Sequence, residues 1–168
     1  MPKLERPALM HYIDASFGDV GSPKWFLIGK DIEEMSVELN PDTETVKNIL
    51  GETSVKDNGY EPSMSADPYY ANPDDSIYAK LKDIAMNRLK GDSCRTKILE
   101  VIVEDTSAAR HSAWTEDVVV KPQSYGGDTS GFAIPFDVTF DGNRKAGTVT
   151  IASGTPTFTE GTEDDTRV

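Results

Sequence analysis

Gly131-Phe132-Ala133-Ile134-Pro135-Phe136-Asp137-Val138-Thr139-Phe140 is the stretch on which the fold class turns. Phe132, Ile134, Phe136, Val138 and Phe140 occupy alternate positions, with Ala133, Pro135, Asp137 and Thr139 between them. Successive side chains of a strand point to opposite faces, so this alternation predicts a strand with one apolar face. Pro135 has no N–H to give to a ladder, which predicts an edge or a bulge at that point.

The same period spreads to both sides. Asp141-Gly142-Asn143 reads as a turn, residues 145–152 as the returning hairpin partner, and residues 155–159 as a last short strand. Upstream, residues 96–105 predict a strand with Leu99, Val101 and Val103 on one face, and residues 114–121 another with Trp114, Val118 and Val120 together. One helix is expected over residues 73–90. Asn72 suits a cap, Pro73 the first turn, Asp74 and Asp75 the positive end of the helix dipole, and Gly91 the exit. Ile77, Leu81, Ile84, Ala85 and Leu89 recur at spacings of three and four, which makes the helix amphipathic and lays it on one side of a sheet.

The first third is less regular. Residues 24–30 read as a short aromatic strand, residues 32–39 as a half-buried strand with Met35, Val37 and Leu39 on one face, Asn40-Pro41-Asp42 as a turn, and residues 43–50 as a strand closed by Gly51. Asp57-Asn58-Gly59 is a hairpin signal, and its polar flanks predict a poorly buried flap over residues 52–66. Residues 1–23, with their prolines and turn residues, read as an extended arm that docks on a neighbour. The acidic tail, residues 160–168, is expected to be disordered. The sum is one domain over residues 1–168, mainly β (α+β): a β-sandwich or small barrel with one flanking amphipathic helix.

With 168 residues and 37% apolar side chains there is material for one core. Lys plus Arg number 17 and Asp plus Glu 29, a formal charge of -12, which argues against a surface that grips phosphate. Cys94 is the single cysteine, so no intrachain disulfide and no cysteine-rich zinc site is expected, and its flanks predict a small buried hydrophobe. No apolar run approaches a membrane span, and the first residues lack the apolar stretch of a signal peptide. Gly126-Gly127 has no following Lys-Ser/Thr and opens no helix, so it is not a phosphate loop. Ser107 and Ser112 flank His111 without the carboxylate and strained turn of a triad, and His11 reads as a contact residue. Adjacent acids such as Glu33-Glu34 and Glu104-Asp105 point to opposite faces of a strand, which disfavours a catalytic pair. The expectation is a non-enzyme without a cofactor or metal.

The order of elements resembles the major tail tube proteins of tailed bacteriophages, which share their fold with the tubes of contractile injection systems. The resemblance rests on Trp25-Phe26-Leu27-Ile28-Gly29, the acidic alternating segment 32–39, Val46, Ile49 and Gly51, then Gly59, Tyr60 and Pro62. It continues through Asp74-Asp75-Ser76-Ile77-Tyr78, three strands, Gly126-Gly127, and a hairpin near Asp141-Gly142 and Gly147. It implies a structural virion protein that self-assembles into stacked hexameric rings, a conduit for double-stranded phage DNA that passes without specific binding. It implies other tail proteins as partners (tape measure, terminator and, in contractile tails, sheath), no membrane, and assembly in the host cytoplasm into a virion tail.

On that resemblance the arm and the flap bridge one ring to the next. The contact candidates are Leu9, Met10, Tyr12, Phe17, Asn58 and Tyr60, and deleting residues 1–20 is expected to leave a folded subunit that does not polymerise. Six copies at -12 each give a ring of -72. An acidic wall repels DNA, which carries about one negative charge per 1.7 Å. Glu34, Glu38, Glu100 and Glu104 are the lumen-facing candidates, and the same acids equally suit a solvated exterior. Two other readings stay open: a carbohydrate- or receptor-binding β-sandwich using Trp25, Trp114, Tyr69, Tyr70 and Tyr125 as a platform, and a capsid decoration protein.

Overall fold

A computed structural model describes residues 3–17 and 23–161. A 3-10 turn at Arg6–Ala8 leads into β1 (Leu9–Asp14), β2 (Trp25–Ile28), β3 (Val37–Glu38), β4 (Pro41–Lys47), β5 (Thr53–Tyr60) and β6 (Ser63–Ala66). Then come α1 (Tyr78–Asn87), β7 (Arg95–Ile102), β8 (His111–Pro122), β9 (Gly126–Asp128), β10 (Gly131–Ala133), β11 (Phe136–Phe140), β12 (Lys145–Ala152) and β13 (Thr155–Glu160). The fold is β-rich with one helix, and its main sheet curls into a half-barrel.

The main sheet runs β2-β1-β7-β8-β11-β6-β3, with β12 and β13 branching from β8. Every pairing is antiparallel. β8 is long enough to serve two partners on one edge. Its first half, His111 to Thr115, pairs with β12, and its second half, Val118 to Pro122, pairs with β11. The sheet therefore splits at Glu116 and Asp117. The chain crosses the split between β11 and β12, where Asp117 exchanges backbone hydrogen bonds with Asp141 and Gly142.

Two cores result. Ile13, Ile98, Val118, Val120, Phe136 and Val138 form one face and pack with Leu81 and Ile77 at the helix and with Tyr69 and Ile134. Tyr12, Leu99, Val101, Ala113 and Val149 form the other face, flanked by Trp25, Ile151 and Phe158. β1, β7 and β8 are thus buried on both sides, which is why Leu99 and Val101 alternate with Ile98 and Ile102 on the opposite face, where Glu100 is the charged exception.

The N-terminal arm is corrected by the structure. β1 sits between β2 and β7, with His11, Tyr12, Ile13 and Asp14 all buried. Its polar residues have work inside the fold. Asp14 Oδ1 accepts hydrogen bonds from the Ser16 and Lys24 backbone N–H groups and from Ser16 Oγ, closing the connection to β2. Deleting residues 1–20 removes a strand buried in the sheet and so removes part of the fold. Residues 1–2 and 18–22 of the arm reading, and 162–168 of the tail reading, lie outside the described residues; Glu160 belongs to β13.

Other boundaries shift for local reasons. The alternating segment 32–39 forms only the two-residue β3, because Leu39 turns outward and Gly29 to Ser36 run irregularly. Pro41 and Asp42 enter β4 rather than a turn. Pro135 does more than bulge its strand: it separates β10 from β11, and Phe132 on the far side is exposed. The helix begins at Tyr78, after turns in which Asn72 Oδ1 accepts the Asp74 N–H. It ends with Arg88 in the left-handed region and Leu89 N–H bonded back to Ile84. Cys94 is fully buried beyond it, as the sequence predicts.

Candidate assembly surface

β4 and β5 form a two-stranded sheet of their own, hydrogen-bonded to no strand of the main sheet. Every residue of 41–60 except Gly59 is exposed. At about 3.3 Å per residue, the seven residues of β4 carry the hairpin tip some 23 Å from its base. The base is pinned: Glu61 N–H donates to Leu39 O at 3.1 Å, and Asn40 Nδ2 donates to Glu61 O at 3.0 Å.

The flap of 52–66 is thereby redrawn. Asn58-Gly59 is not the turn. The register passes from Pro41 opposite Tyr60 to Thr43 opposite Asp57, so Asn58 and Gly59 occupy a bulge in β5. Gly59 takes a φ of 92°, and its N–H is held by Asp57 Oδ1 at 2.9 Å. The true turn is at residues 48–52. Asn48 Oδ1 accepts the N–H groups of Leu50 and Glu52 at 2.9 and 3.0 Å, and Gly51 supplies a φ of 79°. This tight tip thrusts Ile49 (102% exposed) and Leu50 (77%) into solvent, with Val55 at 70% on the strand behind.

An isolated two-stranded hairpin is marginal in water, and exposed aliphatic side chains lose free energy to hydration. Apolar groups clustered at such a tip make it a candidate contact surface.

The second polar feature lies at the split of the sheet. Arg144 Nη1 donates to Glu100 Oε1 at 2.7 Å and to Glu116 Oε1 at 3.0 Å, while its guanidinium lies 5.8 Å from the Trp114 ring centre. Glu116 Oε2 accepts the Gly142 N–H at 3.1 Å, and Glu100 Oε2 lies 3.2 Å from His11 Nε2. The cluster ties β1, β7, β8 and the crossing loop together. Burial pushes the Glu100 carboxyl up, but hydrogen bonds from His11 and Arg144, and the Arg144 charge, outweigh it and hold the group below its ordinary value.

Replacing Arg144 with Met leaves two carboxylates, on Glu100 and Glu116, without their cation. Removing one partner of a fully buried pair costs about 3–5 kcal/mol. The Arg144 side chain is 42% exposed, so solvent screening reduces the expected loss to about 2 kcal/mol, a fall in Tm of about 4–8 °C. A depressed carboxyl contributes stability above its unfolded value and loses it as pH falls through the folded value. The gap in Tm between parent and Arg144→Met should therefore be widest at neutral pH and close as acid protonates Glu100. A gap that is constant with pH would contradict the ionic account.

The structure scatters the four lumen candidates. Glu38 is exposed on the edge strand β3, Glu34 lies in the segment before it, and Glu104 lies in the β7–β8 connection, all three exposed. Glu100 is committed to the buried cluster. Of the contact candidates, Tyr12 is 3% exposed and belongs to the second core, Met10 and Phe17 are half-buried against the cores, and Leu9 sits at the edge of exposure. Asn58 and Tyr60 come together at the hairpin base, both exposed. The proposed aromatic platform does not form, since Tyr69 is inside the first core and Trp25 packs against the second. Sequence reading missed Ile49 and Leu50 as the projecting pair; their signal was an aliphatic pair between Asn48 and Gly51, both turn formers.

No protein-family model matches the chain, and no curated protein matches it. Solved structures do. A chain in the cryo-EM structure of the anti-feeding prophage cap, the tube terminating cap, is 11% identical with a TM-score of 0.50, over 88% of this chain and 93% of that one. The sheath/tube terminator of an extracellular contractile injection system in its extended state is 10% identical with a TM-score of 0.51, over 84% and 95%. A chain in the tail of an empty GTA particle, refined helically with C6 symmetry, is 12% identical with a TM-score of 0.50, over 94% and 99%. The chain has a phage-tail-like fold. At these identities the likeness concerns the path of the chain, and nearly the whole of each neighbour is spanned.

Proposed function

We propose that the chain is a structural, non-catalytic subunit of a phage-tail-like particle, which closes into hexameric rings and stacks them into a tube for DNA passage. The observation that carries this reading is the projecting hairpin with an apolar tip on a subunit of phage-tail-like fold. A solitary protein gains nothing from ordered aliphatic groups held about 20 Å from its body. Six-fold symmetry is supported by the C6 tail in which one neighbour resides. The formal charge of -12 per copy suits a conduit that does not retain a polyanion. Glu34, Glu38 and Glu104 remain exposed acids available to such a wall. Tape measure, terminator and sheath proteins are the partners this role calls for, in a particle assembled in the host cytoplasm.

A terminating ring is the second reading, favoured by the likeness to a tube cap and a sheath/tube terminator. Negative-stain microscopy of the purified chain over a concentration series separates the two. Rings with a central hole that stack into rods are the expected result; rings that never stack select the terminator. A chain that stays monomeric at every concentration overturns both.

A further inference from the structure

We propose that the hairpin tip of one copy seats in a cavity on the next, with Ile49 and Leu50 as the knob. The proposal rests on the ring-forming reading and names the surface that receives the hairpin. The cavity, about 370 Å³, lies between the 3-10 turn, β1, β2 and the segment leading to β3. Leu9, Leu27, Ile32 and Met35 make its walls apolar. His11 also lines it and is 2% exposed. Walls of this kind suit an occupant that brings aliphatic groups.

A hairpin tip is such an occupant, and charge chooses this one. The rim of the cavity carries Arg6 and Glu33. Arg6 is fixed there, donating to Leu9 O at 2.7 Å and Met35 O at 3.2 Å. The charged residues at the tip are Lys47, closing β4, and Glu52, the last residue of the turn, whose Oε2 accepts from Asn48 Nδ2 at 3.0 Å. Lys47 can face Glu33 while Glu52 faces Arg6, so the tip meets the rim with opposite signs on both sides. Among the described residues, none of its own subunit covers Ile49, which is 102% exposed. Knob and hole are different patches of one chain, so the contact is head-to-tail and propagates from copy to copy.

Two sets of variants test it. Glu33→Lys and Lys47→Glu alone should each raise the concentration needed for assembly by about tenfold, and the pair together should restore it. Both side chains are exposed, so folding is not at stake. A chain carrying Leu27→Cys and Leu50→Cys should give a ladder of covalent oligomers on mild oxidation, which neither single variant gives. Assembly of the unmodified chain without a ladder, or a charge-reversed pair no better than its singles, overturns the cavity assignment and leaves the ring-forming reading in place. No assembly of the unmodified chain overturns both.

Discussion

Replacing residues 44–56 with Asn-Gly is expected to leave a folded monomer and to abolish every larger assembly. Thr43 and Asp57 are directly opposed in the hairpin, so a two-residue turn of that type closes the gap without strain. The removed residues are all exposed, and none belongs to either core. Their loss takes away little buried area, and Tm should change by no more than about 3 °C. The assembly, by contrast, loses Ile49, Leu50 and Val55 at once. Sedimentation velocity reads the oligomers and calorimetry the fold. Rings of normal size from the shortened chain would show that the hairpin is not the element that joins copies.

Gly147→Ala should produce a large loss of stability. Gly147 lies on β12 opposite Glu160 of β13. A Cβ there would stand 2.2 Å from Thr159 O and 2.8 Å from the Phe158 ring. The nearest obstacle is backbone, which cannot rotate aside, so β13 must move away and loosen the second core. Overpacking of this kind costs about 3 kcal/mol at the upper end of its usual range, or about 6–12 °C in Tm. Gly142→Ala is the control. It has open space around its Cβ, and its φ of 95° makes the substitution a measure of backbone strain alone. Equal losses from the two would show that the contact with β13 is not the cause at Gly147.

Reading from the sequence succeeded where one chemical pattern served one face. Phe136, Val138 and Phe140 alternate with polar residues and lie inward, and Ile77, Leu81 and Ile84 mark the buried stripe leading into and along the helix. It failed at β1, which is buried on both faces and mixes polar with apolar residues on each. Met10-His11-Tyr12-Ile13-Asp14 has no period of two, because His11 and Ile13 serve one face while Tyr12 serves the other. Asn58-Gly59 misled for a different reason: the positive φ that suits a hairpin turn suits a bulge equally well.

The amino-acid sequence alone determined the β-rich class, the single helix, the buried cysteine and the acidic balance, since each follows from local spacing or composition. Only the tertiary structure decided that β1 is interior, that Arg144 meets Glu100 and Glu116 across the split sheet, and that Ile49 and Leu50 stand clear of the body. Those outcomes depend on which strands become neighbours. A side chain such as His11 or Glu100 carries no mark of its partner until a residue 89 positions away is brought within hydrogen-bonding distance.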